Sequence, residues 1–155
     1  MEKETRVALE IGQEAPDFTL VNEDNEQVTL SELRGSPVVL VFYPFDFSGI
    51  CTGELCEIRD EYTGWSGAGA TVFGISRDSR FAHAAFKAAE NFQHSLLADL
   101  KGDVARAYGT WNEDLGAAER LTVVVDAAGN IAYSQQNPIL EARDHSDVLA
   151  AIQGS

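Results

Sequence analysis

The chain has 155 residues, 45% of them hydrophobic, with 11 basic and 25 acidic side chains and a formal net charge of −14. That length suits one domain with its own core, spanning 1–155, in which 1–10 read as a polar N-terminal arm. Charge this negative repels phosphate backbones and anionic headgroups, which argues against nucleic-acid and membrane partners; no apolar run is long enough for a bilayer, and Met1-Glu2-Lys3-Glu4-Thr5-Arg6 does not open a secretory signal, so the expected location is cytoplasmic.

In chain order, Ala15–Leu20 and Gln27–Leu30 flank the polar turn Asn22–Asn25 and predict a β-hairpin. Pro37–Tyr43 is a continuous β-branched and aromatic run, expected as a central strand buried on both faces and ended by Pro44. A helix is expected from about Ile50 to Trp65, then a second buried strand over Thr71–Ser76 and an alanine-rich helix from Ser79 to Asn91. Asp103 is a candidate cap for a short helix reaching Tyr108, with Gly109 just past its end. Leu121–Asp126 reads as a third strong strand, turned at Ala127–Asn130 into a fourth over Ile131–Ser134. A last helix is expected from about Asp144 to Ile152. Strands alternating with helices predict an α/β fold, a central mixed β-sheet flanked by helices behind an N-terminal β-hairpin, compatible with a thioredoxin-like fold.

There are two cysteines, Cys51 and Cys56. Cys51 falls seven residues after Pro44, in the first turn of the expected helix. Active-site groups favour the carboxyl ends of strands in such sheets. A helix start offers free N–H groups and partial positive charge, which favour thiolate over thiol. Phe45, Phe47 and Ile50 can screen the sulfur from water, and the Ser48 hydroxyl stands three residues before it. Arg120, just before the strand Leu121–Asp126, is a candidate cation at the strand ends, with Glu54 placed to hold its guanidinium. The plainer reading of Arg120 is a surface ion pair, and that of Glu54 a solvated first-turn carboxylate.

The spacing Pro44-x-x-x-Ser48-x-x-Cys51 resembles the active-site motif of the peroxiredoxins. Ala15-Pro16-Asp17-Phe18 resembles that family's N-terminal hairpin, and Leu97-Ala98-Asp99 with Ala105–Gly109 its mid-chain signature. Arg120–Asp126 resembles the strand carrying its second catalytic element. The likeness runs over roughly 11–153 and is nearest to the alkyl hydroperoxide reductase E type, to judge from the short loop 111–119 and the stretch Phe47–Cys51. It implies a thiol-dependent peroxidase acting on hydrogen peroxide and organic hydroperoxides. Cys51 would be the peroxidatic nucleophile, with Ser48 and Arg120 activating thiolate and peroxide. The N–H groups of Ile50 and Cys51 would bind peroxide oxygens, Pro44 would shield the sulfur, and Glu54 would orient Arg120. Serine at position 48 stands where threonine is commoner; it keeps the hydroxyl and loses a methyl that restricts its rotamer.

Cys56 has two readings. In an intact helix, Cα atoms five residues apart lie roughly 8–9 Å from one another, about 140° around the axis. A disulfide needs about 4.4–6.8 Å, so the pair joins only if the first turns unwind. The Q-type (bacterioferritin-comigratory) peroxiredoxins resemble this spacing, which implies a resolving cysteine and an intramolecular disulfide; otherwise Cys56 is a small buried hydrophobe.

Sulfur carries the redox chemistry, so no cofactor is expected. His83, His94 and His145 have no paired ligand spacing, so no metal is expected either. The partners implied are a peroxide, a thiol reductant (thioredoxin-like or of low molecular weight) and a second copy in a homodimer, with Phe45 and Trp111 as contact candidates. Rival readings are a thiol–disulfide oxidoreductase, weakened by the lack of Cys-x-x-Cys, and a redox-sensing binding protein on the same fold.

Overall fold

The computed structural model describes residues 10–46, 65, 67–137 and 151–152. The expected helix after Ile50 and most of the one near Asp144–Ile152 lie outside these residues. Among the described residues, no helix is long and apolar enough to cross a membrane.

The hairpin forms as expected: β1 (Thr19–Asn22) pairs antiparallel with β2 (Gln27–Thr29), Leu20 opposite Val28. The Asn22 carboxamide oxygen closes the turn by accepting from the N–H groups of Asp24 and Glu26, both at 2.9 Å. A single 3-10 turn follows at Leu30–Leu33. The run of β-branched and aromatic residues becomes β3 (Val38–Phe42), every residue of it buried. Next come β4 (Thr71–Ser76) and α1 (Arg80–Glu90). The helix α1 starts where Ser79 accepts from the Ala82 N–H at 3.2 Å, and it stops at Asn91, which takes the left-handed conformation.

β5 (Ser95–Ala98) is not among the strands the sequence predicts. The short helix α2 (Asp103–Ala107) is where it was expected, but its cap differs. Gly102 occupies the cap position, and the Asp99 carboxylate accepts from the N–H groups of Val104 and Ala105 at 3.2 and 2.9 Å. Asp103 sits inside the first turn, where its charge suits the helix start. Gly102 has φ +74, and a Cβ there would meet the Trp111 ring at 2.5 Å, so only glycine fits. The short loop 111–119 holds a minimal antiparallel pair, β6 (Trp111–Asn112) and β7 (Ala117–Ala118). β8 (Arg120–Val125) begins one residue earlier than expected and takes Arg120 into the sheet. β9 (Ile131–Asn137) runs three residues further than expected.

The main sheet has seven strands in the order β2-β1-β5-β4-β3-β8-β9. β3, β4 and β5 are mutually parallel, while β8 runs antiparallel to β3 and β1 antiparallel to β5. The sheet is therefore mixed, as the alternation of strands and helices predicts. Apolar cores cover both faces. Leu40, Phe42, Leu121 and Val123 meet Val104, Ala105 and Tyr108 on one face; Val39, Val41, Tyr43 and Val124 meet Phe86 of α1, with Trp65 and Ile152, on the other. Each large side chain so buried contributes about 1.5–3 kcal/mol. The α1 face needs close approach between strands: a Cβ at Gly74 would stand 2.8 Å from Leu96 and 3.2 Å from the Tyr43 ring.

Candidate active site

The parallel strands β3, β4 and β5 deliver their carboxyl ends to one side of the sheet. β3 is followed there by Tyr43 and Pro44, both buried. Tyr43 still donates its N–H to the Ile75 carbonyl at 3.1 Å, so the sheet holds the chain until the residue before the proline. β8 runs back from the same side, with Phe42 opposite Leu121. One step further along this register sets Tyr43 opposite Arg120.

Arg120 has no exposed surface, which rules out the surface ion pair. Its neighbours Leu121 and Val123 belong to the core on the α2 face, so alternation gives Arg120 the α1 face, along with Val124 and Tyr43. A guanidinium so enclosed is a fixed cation, which is what a site developing negative charge on oxygen needs. The structure thus brings Pro44 and Arg120 to one sheet end. Cys51, Ser48, Ile50, Glu54 and Cys56 lie outside the described residues.

The same end carries a polar cluster that the sequence did not reveal. The Asp46 carboxylate accepts from the Tyr43 hydroxyl at 2.5 Å and lies 2.7 Å from His83 Nδ1. His83 Nε2 lies 3.0 Å from the Leu97 carbonyl. The His83 and Asp46 side chains are 0% and 1% exposed. The Asp46 N–H donates to Asp78 Oδ2 at 2.7 Å, and Ser76 Oγ donates to the same oxygen at 2.6 Å. Burial first, then the Asp46 charge, pushes the Tyr43 phenol well above its ordinary value, so its hydroxyl stays a donor. A clue lay in the sequence: His83 falls four residues after the cap Ser79 and three before Phe86, on what becomes the inner face of α1.

His94 is also buried, and burial takes its imidazole down to about 4, so it is neutral at ordinary pH. Among the described residues, no three His, Cys, Asp or Glu side chains gather as metal ligands. Phe45 is partly buried with the Arg77 guanidinium 5.9 Å from its ring centroid, and Trp111 packs on the core under Arg106 at 4.5 Å. A groove of about 430 Å³ lined by Phe18, Leu20, Leu100 and Val104 opens beyond β5, across β4 from Pro44 and Arg120.

Residues 11–134 match the AhpC/TSA family. The chain is 38% identical to alkyl hydroperoxide reductase E of Mycobacterium tuberculosis over 150 residues, covering 93% of this chain and 98% of that one. It is 38% identical over 132 residues to a putative peroxiredoxin bcp of Coxiella burnetii, covering 81% and 87%. The fold superposes on the crystal structure of peroxidoxin BcpB from Mycobacterium tuberculosis with a TM-score of 0.85 at 29% identity, covering 94% of this chain and 97% of that one.

Proposed function

This chain belongs to the AhpC/TSA family and is a thiol-dependent peroxidase, a peroxiredoxin; we propose that Cys51 is its peroxidatic residue and that Pro44 and Arg120 belong to the same site. The observation that carries this reading is the meeting of Pro44 and the enclosed Arg120 at one sheet end, with Cys51 tethered five residues after the buried Asp46.

The thiolate of Cys51 attacks one peroxide oxygen. The S–O bond forms as the O–O bond breaks, and the other oxygen leaves as alkoxide or hydroxide and takes a proton. Arg120, the Ser48 hydroxyl and the N–H groups of Ile50 and Cys51 stabilise that departing charge. Pro44 keeps water from the sulfur, and Glu54 orients Arg120. The sulfur ends as a sulfenic acid, having given two electrons to the peroxide. Cys56 then condenses with it, releasing water and leaving a disulfide, which external thiols reduce. Hydrogen peroxide and organic hydroperoxides are both substrates on this reading. The reductant is a thioredoxin-like protein or a small thiol, and the enzyme works as a homodimer in the cytoplasm without a cofactor. The rival readings, an oxidoreductase for disulfides or a sensor, find no support among the relatives.

The test is stopped-flow reaction of reduced protein with peroxide, comparing wild type, Cys51→Ser and Cys56→Ser. Cys51→Ser is expected to be inert; a wild-type rate in that variant overturns the assignment. Cys56→Ser should react once and stop at the sulfenic acid. Mass spectrometry of wild type after one equivalent of peroxide should find Cys51 joined to Cys56. A stable sulfenic acid with Cys56 still alkylatable would leave a one-cysteine cycle.

A further inference from the structure

The buried cluster at the end of β3 has its own proton arithmetic. A backbone carbonyl only accepts, so the Leu97 oxygen requires a proton on His83 Nε2. Another proton lies between His83 Nδ1 and Asp46 Oδ2, and the Tyr43 hydroxyl fills Asp46 Oδ1. Three protons thus serve three hydrogen bonds, and the His–Asp pair is uncharged as a whole, which suits side chains buried this fully.

Such a pair adds little net stability, since apolar groups of the same volume pack as well or better. α1 does not need it as an anchor. Its ends are capped by Ser79 and Asn91, and Phe86 lies fully in the core. What the pair does supply is position. Asp46 is held from three directions: by Tyr43 at the end of β3, by Asp78 just past β4, and by His83 of α1. It stands two residues after Pro44 and five before Cys51.

We propose that His83, acting through Asp46, is a positioning residue for the peroxide reaction, fixing the chain at Asp46, five residues before Cys51, against the sheet end that carries Arg120. This rests on the reading of Cys51 as the nucleophile. Among the described residues, His83 is enclosed and its two ring nitrogens are taken up by Asp46 and Leu97. Its effect is on where the attacking group stands relative to a fixed cation, and a misplacement of about 1 Å is enough to slow a reaction by up to about 100-fold.

Two amides separate the two links of the ring. In His83→Asn the amide nitrogen replaces Nδ1 and keeps a donor toward Asp46; in His83→Gln it replaces Nε2 and keeps only the donor toward Leu97. Each reduced variant is mixed with hydrogen peroxide in a stopped-flow instrument, and separately alkylated at Cys51 with iodoacetamide. His83→Gln is expected to lose about tenfold or more in the peroxide rate, and His83→Asn to recover to within about threefold of wild type. Alkylation should change by less than about threefold in both, since it needs a thiolate and no alignment with Arg120. Asp46→Ala, which breaks the same link from the other end, is measured alongside and stands in if His83→Gln does not fold. Equal peroxide rates for His83→Asn and the link-breaking variant, or a peroxide loss matched by an equal alkylation loss, overturns the positioning role. Cys51→Ser is the control: peroxide reactivity persisting there overturns the underlying assignment instead.

Discussion

A guanidinium at the first residue of a strand, with no surface exposed, is costly to desolvate and is kept where its charge is used. Arg120→Met should therefore lower the peroxide rate constant by about 100- to 1,000-fold, the usual cost of removing one donor from developing oxyanion charge. Arg120→Lys should recover little of it, because a single ammonium does not reproduce the planar fork. Stopped-flow measurement on both variants checks this; a Lys variant within about threefold of wild type would make charge alone the requirement. Pro44 and Arg120 could be singled out in the sequence because one ends a strong strand and the other stands just before one; the cysteines lie outside the described residues. Asp46 was not. Between Phe45 and Phe47 an acidic residue reads as a solvated loop position, and only the packing of α1 on that face reveals its partner. His83, weighed from sequence only as a metal ligand, proved to be a hydrogen-bonded core histidine.

At the scale of elements, Glu23 ties the turn of the hairpin to the sheet. Its carboxylate accepts from the Leu96 N–H of β5 and from Lys87 of α1, both at 3.0 Å. Burial raises its pKa, but the Leu96 and Lys87 contacts outweigh that and hold it below the ordinary 4.5. The stabilisation is therefore complete above pH 4.5 and is lost as the pH falls through the lowered folded-state value. Glu23→Gln should flatten the acid limb of the melting temperature below pH 4.5 and leave the neutral-pH curve parallel to wild type; melts across that range would show it. Asp99 bears on α2 in a simpler way. Asp99→Ala removes the acceptor for two helix N–H groups and should cost about 1–2 kcal/mol in urea unfolding, whereas Asp103→Ala should cost less than about 0.5 kcal/mol. That contrast follows from the corrected cap: sequence spacing favoured Asp103, and the chain instead bends back at Gly102 so that Asp99 reaches the helix start. β5 escaped notice for a related reason. Four residues behind His94 carry no alternation, and their strand character comes from lying between β1 and β4.

Across the whole molecule, the formal net charge of −14 affects the two halves of the catalytic cycle differently. Hydrogen peroxide is neutral, so its reaction rate should vary by less than about twofold between about 0.02 and 0.5 M salt. Reduction by an anionic small thiol should speed up over the same range, as screening relieves repulsion. Measuring both steps separately tests this, and a salt-sensitive peroxide step would point to a charged gate near the sulfur. The α/β layout was legible because β3, β4 and β8 are long apolar runs that admit no other reading. The order of the strands was not, since it depends on pairings between segments far apart in the chain.

Gly74 has no side chain to contribute, yet its bareness makes room for the Tyr43 ring and for Leu96. A mutational scan scored on peroxide clearance should accordingly mark this mid-strand glycine as intolerant even of alanine. Read by its own chemistry, such a position would be put down to folding alone. Its neighbours give the other reading: Tyr43 holds Asp46, so a methyl group on the adjacent strand should register as lost turnover in molecules that still fold.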